Sequence, residues 1–544
     1  MNLLDAAWMP VRLHNGERKW VSSSQLADTN IASFDADRPD FNGSLAQFAI
    51  GLLQTTMTVS SPMQWRALFN DPPDEATLRE RLMPHAAAFE LDGEGARFMQ
   101  DFDLRSGDGE PVGVANLLIE SPGENTLKNN GDHFVKRGRV EQICEHCAAL
   151  ALLTLQINAP SGGAGHRTGL RGGGPMTTLL LAQPRPNKPR SLWHDLWLNV
   201  QERRYFVDAG SEEGKSAPHL TFPWLASLDA IQKEGGETAP VQVHPAQVFW
   251  AMPRRIRLDF DGVGKGECDL CGRKSHRLVR QYVTRNYGLN YKGPWKHPLS
   301  PYYESNEGWL PLHPQPGGIG YRHWLGWVLG LRNDKRKIRT ASVVDTFLSA
   351  SLESKTGTEL QVWAFGFDMD NMKARCWYEA RLPLYELGEC LPDARIALRE
   401  DVGNWLAGAE LAASLLRGAV KDAWFGGDAR GDYSFIDASF WSRTESAFYG
   451  LLHERITTAR DAKDWDRQAG ANRWKAAIRH AALALFDSQF VGAGPVERQN
   501  PARVAQAQKL LRLRLDGPKM RTALGLPPIE NDKPKSSRKA AKAA

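Results

Sequence analysis

Four of the six cysteines fall into two pairs of identical spacing, Cys144 with Cys147 and Cys268 with Cys271. Each pair can present two thiolates from one knuckle, and two knuckles complete the four soft ligands at about 2.3 Å that a structural Zn²⁺ takes. Two redox-active dithiols, or four buried free thiols, are the other readings of the same spacing. In the zinc reading the 120 residues between the pairs become a loop stapled at its base. Cys376 and Cys390 lack such spacing and read as core residues. His146, inside the first pair, reads as a surface side chain rather than a fifth ligand.

Residues 158 to 175 form the most unusual stretch, with seven Gly and two Arg. Glycine is needed where backbone lies flush against a ligand or takes positive φ, and Arg167 and Arg171 are placed to hold a phosphate alongside; a plain flexible loop is the alternative. Residues 209 to 216 satisfy a relaxed P-loop pattern. Glu212 and Glu213 would face the phosphates, and Pro218 follows where a helix should begin, so nucleotide binding is rejected. Neither His-Glu-x-x-His nor Gly-x-Ser-x-Gly occurs, and no acidic cluster has two-metal spacing, so an enzyme reading lacks a motif. Arg280 to Tyr287 reads as a strand with cationic and amide groups near its end, able to meet a phosphate or groove edge. Glu359 to Leu384 reads as a β-hairpin with a polar tip around Asp370, Asn371 and Met372, either an inert turn or a wedge between bases.

The elements that must position these groups differ along the chain. With 544 residues, 42% of them hydrophobic, two or three cores are expected and a disordered chain is excluded. The fold class is α+β, a large irregular mixed domain over residues 1–392 followed by an all-α four-helix bundle over 393–528. In the first part, Gln247 to Met252, Arg255 to Phe260 and Leu278 to Val283 look like strands, and Glu141 to Ile157 like a helix apolar all round and therefore buried. In the second, Trp405, Ala409, Ala412, Leu416 and Val420 recur at helical steps, as do Trp441, Phe448, Leu452 and Ile456, then Trp474, Ile478 and Leu485, then Val504, Leu511 and Leu515. Residues 529–544 carry Lys and Arg among Ala, Ser and Pro and read as a disordered basic tail. The formal charge of 68 − 63 = +5 permits a nucleic-acid partner without requiring one. No stretch approaches the roughly 20 apolar residues of a spanning helix, so a cytoplasmic protein with no membrane partner is expected.

Taken together, the two cysteine pairs, the loop from Ala159 to Gly165, the run from Thr168 to Pro175, the segment from Trp295 to Pro301 and the C-terminal bundle resemble one family. It is CasA, the large subunit of the type I-E CRISPR Cascade complex. The opening Met1 to Leu4 and Trp8 to Arg12 resemble it too, and the agreement runs in order from residue 1 to about 520. The resemblance implies an RNA-guided surveillance complex in which this subunit, with no catalytic residue of its own, inspects double-stranded DNA for the protospacer-adjacent motif (PAM), starts strand opening and R-loop formation, and helps recruit the helicase-nuclease in antiviral defence. It implies that Phe134 contacts the guide RNA, where it can stack on a base while Lys136 and Arg137 meet phosphates. It implies a glycine loop around Gly163, Ala164, Gly165 and His166 against the minor groove. The family's basic finger falls on Asn286 with Arg285 beside it, and its glutamine wedge on Asn371 with Asp370 and Met372 adjacent. Where the family has a lysine and a glutamine this chain has Asn286 and Asn371, so its motif preference is expected to differ, with Arg285 the substitute cation. A zinc-containing nuclease, and a scaffold subunit that reads no DNA, are the rival functions.

Overall fold

Short apolar runs broken by Gly and Pro fold here mostly into short strands, accompanied by two largely buried helices. The computed structural model describes residues 1–105, 107–109, 111–121, 140–158, 170–171, 174–183, 190–207, 211–261, 264–306, 308–332, 337–350, 359–370, 373–385, 387, 390–425, 432–461, 463–492 and 500–528. The chain divides into one unit of Met1–Ile319 with Gly326–Gly388, and a second of Gly320–Leu325 with Glu389–Ala544.

In the first unit β1 (Met9–Leu13), β2 (Arg18–Val21) and β3 (Ile31–Phe34) make an antiparallel sheet in the order β2–β1–β3, and α1 (Pro39–Thr56) follows. After β4 (Val112–Gly113), β5 (Ile143–Cys144) runs directly into α2 (Glu145–Asn158), and β6 (Thr177–Ala182) follows the glycine-rich stretch. Next come β7 (Arg255–Leu258), β8 (Gly264–Glu267), β9 (Lys274–Val279) and β10 (Gln281–Arg285). β11 (Tyr302–Ser305), β12 (Gly308–Pro311), β13 (Leu331–Arg332) and β14 (Lys337–Arg339) form a sheet of their own, and β15 (Leu360–Asp370) with β16 (Lys373–Leu384) is the expected hairpin. β5–β9–β8, β4–β10–β7 and β16–β15–β6 are three further small sheets.

α2 is buried from Cys147 to Asn158, as its all-round apolar sequence requires, and packs on α1. Beside them Phe48 of α1 meets Trp8, Phe89, Phe98 and Trp250 edge to face, with centroids 5.3 to 6.0 Å apart. Such contacts add about 0.5–1.5 kcal/mol each beyond the buried area. Gly43 of α1 lets the hairpin sheet approach, since a Cβ there would lie 2.7 Å from the Phe365 ring of β15.

Three local expectations are corrected. Gln247 to Met252 is no strand: a 3₁₀ turn at Pro245–Phe249 takes its place, started by Pro245 and capped by His244, whose Nδ1 accepts from the Ala246 amide at 3.2 Å. Leu278 to Val283 is two strands, because the chain changes sheet at Arg280, whose carbonyl accepts from the Val114 amide. Cys376 is exposed, since it falls on β16, the outer strand of its sheet, while Cys390 is buried.

The second unit is helical: α3 (Pro392–Phe425), α4 (Ser434–Arg460), α5 (Arg467–Ala484) and α6 (Pro501–Leu515). α3 packs against the other three through the buried stripe Trp405, Ala409, Ala412, Leu416 and Val420. Asp466 and Asn500 cap α5 and α6, accepting from the amides of Ala469 and Arg503 at 2.9 and 3.1 Å. Tyr321 of Gly320–Leu325 stacks on Phe448 with centroids 4.4 Å apart and hydrogen-bonds Thr444 at 2.7 Å. Among the described residues no helix is long and apolar enough to cross a membrane.

Inside this unit Asp401 accepts from Arg455 Nε at 2.7 Å and from Arg467 Nε at 2.6 Å, with Asp401 and Arg455 both only 5% exposed. Asp401→Leu strands the buried Arg455 charge and is expected to cost roughly 3–5 kcal/mol. Calorimetry should show an earlier unfolding transition, and an unchanged one would contradict this account of the pair.

Candidate metal centre and nucleic-acid interface

The two cysteine knuckles meet because β5 pairs with β9, Cys144 lying opposite Leu278 and Ile143 opposite Val279. Cys144 ends β5 and Cys147 sits in the first turn of α2, while Cys268 and Cys271 occupy the turn between β8 and β9. That turn is closed by the Gly272 amide on the Cys268 carbonyl and the Cys268 amide on the Arg273 carbonyl, both at 2.9 Å. Asp269 ties it to the first knuckle, accepting from the amides of Glu141 and Gln142 at 2.7 and 2.9 Å.

All four Sγ atoms lie within 4.8 Å of one another, and those of Cys144 and Cys271 are 3.8 Å apart. A tetrahedron with arms of about 2.3 Å has edges of about 3.8 Å, so the sulfur spacing fits one Zn²⁺. The Cys144 amide lies 3.2 Å from Cys268 Sγ and the Cys147 amide 3.5 Å from Cys144 Sγ, placed to donate to thiolate charge. With bare thiols, hydrogen bonding to its three partners and then burial push Cys147 up, while hydrogen bonding to Cys144, Cys147 and Cys271 holds Cys268 down. A divalent cation bound by the four sulfurs would take the place of the thiol protons. His146 is not part of the four-sulfur cluster. Its ring lies 5.5 Å from Trp20 and its Nδ1 3.2 Å from Arg273, and burial followed by the Arg273 charge brings its pKa down to about 4.

Arg285 and Asn286 stand exposed at the end of β10, and among the described residues Arg285 has no ion-pair partner. Its cross-strand neighbour Arg255 is instead tied to buried Asp101. Tyr287 follows with φ +65° and is 62% exposed. The hairpin is paired out to Asp370 opposite Lys373. Asn371 and Met372 lie outside the described residues, as do Gly163, Ala164, Gly165 and His166 of the glycine stretch and Phe134, Lys136 and Arg137. The end of the glycine stretch meets the hairpin: Gly174 has φ +76°, and a Cβ on it would lie 2.6 Å from Met369 Cγ. Arg285 and Asn286 belong to a different sheet, β4–β10–β7.

Arg171 corrects the sequence reading. It is buried rather than set beside a phosphate, bonded through Nη1 to Gln47 at 2.6 Å and through Nη2 to Thr177 at 2.5 Å, with His297 ring nitrogens 3.1 and 3.3 Å from Nη1. Burial lowers its pKa to about 10, which leaves it cationic at neutral pH. Gln47 and Asn158, amides set among the apolar residues of two buried helices, were the signal in the sequence for this cluster.

The model of the family "CRISPR-associated protein Cse1" matches residues 2–485. The chain belongs to that family. Cse1 and CasA structures share its fold: CasA of Thermus thermophilus superposes at TM-score 0.65 and 17% identity, covering 96% of this chain and 99% of that one. Thermobifida fusca Cse1 superposes at 0.63 with 15% identity over 96% and 98%. A chain of a CRISPR RNA-guided surveillance complex gives 0.66 with 18% identity over 95% and 99%.

For this Cse1 family member, Cys144→Ser is expected to lower zinc content and melting temperature together, because removing one ligand loosens both knuckles. Metal analysis beside thermal denaturation checks it; a wild type that is fully stable without metal would sink the zinc assignment.

Proposed function

We propose that this chain is the large, non-catalytic subunit of a type I-E Cascade complex, which recognises the PAM of double-stranded DNA, begins strand separation and helps recruit the helicase-nuclease. The observation that carries the reading is membership of the Cse1 family over residues 2–485 in a chain whose strand β10 ends in an exposed cation and amide, Arg285 and Asn286. A chain of similar fold in a CRISPR RNA-guided surveillance complex supports the same setting, with CRISPR RNA and other Cascade subunits as partners. In this reading residues 1–392 carry DNA and guide contacts, 393–528 form a four-helix bundle, 529–544 are a basic tail, and Zn²⁺ closes the knuckles at Cys144, Cys147, Cys268 and Cys271. The protein works in the cytoplasm.

The division of labour follows from physical cost. Pairing with the guide RNA reads the target sequence, so the protein needs only a short duplex mark and a means to unstack the neighbouring step, which costs a few kcal/mol. Arg285 supplies the charge for a minor-groove or phosphate contact, and Asn286 a donor and an acceptor for a base edge. The glycine stretch from Gly163 to His166 lies against the groove, and the tip at Asp370, Asn371 and Met372 wedges the step open. Phe134, Lys136 and Arg137 hold the guide.

Arg285→Ala in the assembled complex is expected to weaken binding of a PAM-bearing duplex about tenfold at low salt and to reduce the salt slope by about 1. Titration against duplexes varied only at the PAM measures both. Unchanged affinity for Arg285→Ala and Asn371→Ala together would favour the scaffold reading. Phe134→Ala should weaken capture of the subunit by guide-loaded partner subunits in a pull-down, and equal capture would remove Phe134 from its role.

A further inference from the structure

Residues 159–169 leave the end of α2 at Asn158 and rejoin the described chain at Leu170 and Arg171. Both junctions are bonded to one side chain. Gln47 of α1, 4% exposed, donates from Nε2 to Asn158 Oδ1 at 3.3 Å and accepts at Oε1 from Arg171 Nη1 at 2.6 Å. Each junction has a second tie. Asn158 Nδ2 donates to Ser44 Oγ at 3.0 Å, one turn before Gln47 on the same helix. On the other side Arg171 Nη2 donates to Thr177 at 2.5 Å, and the Leu170 carbonyl accepts from Tyr302 Oη at 2.9 Å. The Tyr302 hydroxyl in turn accepts from the His297 amide at 2.9 Å.

The chemistry of the set is informative. Arg171 is a buried cation whose partners among the described residues, Gln47, Thr177 and His297, are all neutral, and its Nε has no partner there. Burial and then the Arg171 charge hold His297 well below its usual pKa, so it adds no second charge. A buried guanidinium held by neutral acceptors stabilises the fold less than an apolar side chain of similar size would. What it supplies is direction: two Nη groups at fixed angles, one on α1 and one on β6.

We propose that Gln47, with Asn158 and Arg171, is a positioning clasp that fixes the separation and orientation of the two junctions, and through them the specificity with which the glycine stretch meets duplex DNA. This rests on the PAM-reading function proposed above. Gln47 touches no nucleic acid in this scheme; it acts through the residues it holds.

The test uses the complete complex assembled with guide RNA. Gln47→Leu keeps side-chain volume and removes both junction bonds, along with the bond from Nε2 to the Gly43 carbonyl within α1, and it is expected to reduce the ratio of affinities for PAM-bearing and PAM-less duplexes about tenfold, while affinity for the guide-loaded partner subunits changes less than about twofold. Gln47→Glu keeps the acceptor for Arg171 and should recover part of the ratio. A folded, assembled Gln47→Leu complex with wild-type discrimination overturns the proposal. So does an equal loss on both duplexes with a lower melting temperature, which is what a purely structural role predicts. If Gln47→Leu does not assemble, Thr177→Val, which removes the Arg171 anchor on β6 at constant shape, is judged by the same two criteria. If, in a complex that keeps Gln47, neither Arg285→Ala nor Asn371→Ala alters PAM discrimination, the underlying reading is removed instead, and the two failures are thereby told apart.

Discussion

A helix with no face toward solvent holds the first unit together. α2 is 14 residues long, about 20 Å at 1.5 Å per residue, and it begins at the thiol cluster and ends at Asn158. Burying each of its large apolar side chains stabilises the fold by about 1.5–3 kcal/mol, and a close-packed surround leaves it no cheap tilt or slide. The knuckles at one end and the hydrogen-bonded junction at the other are therefore set at a fixed distance. α1 runs alongside and presents Ser44 and Gln47 to that far end, so the two helices act as one rigid member.

Cations in this chain divide by location more than by number. Arg171 and Arg455 are buried, where an ion must be held by hydrogen bonds, and each is bonded to a side chain distant in sequence, Gln47 and Asp401. Arg285 is exposed and keeps its charge available to whatever approaches. A net charge of +5 over 544 residues conveys none of this.

The sequence carried what local chemistry alone decides. Equal cysteine spacing implied convergence, and the four Sγ atoms converge; period-2 alternation gave the hairpin, and steps of three and four gave α3 to α6. Expectations missed where a remote or capping partner decides. Gln247 to Met252 has strand-like composition, yet Pro245 and the His244 cap turn it into a 3₁₀ segment. Arg280 looked like the middle of one strand and is the point where the chain leaves one sheet for another. Arg171, set in a glycine-rich run, suited a phosphate contact by its type; its burial goes with a bond to Gln47, 124 positions earlier, which no window along the chain can reveal.

Arg285 and Asn286 extend from β4–β10–β7, whereas the hairpin tip extends from β16–β15–β6. Appendages rooted in separate sheets share no ladder hydrogen bonds, so a change of length or residue type in one leaves the other's register intact. Evolution can therefore drift each at its own pace, and a chimaera that joins a homologue's β10 terminus to this hairpin, or the reverse, should keep the strand pairing of both sheets.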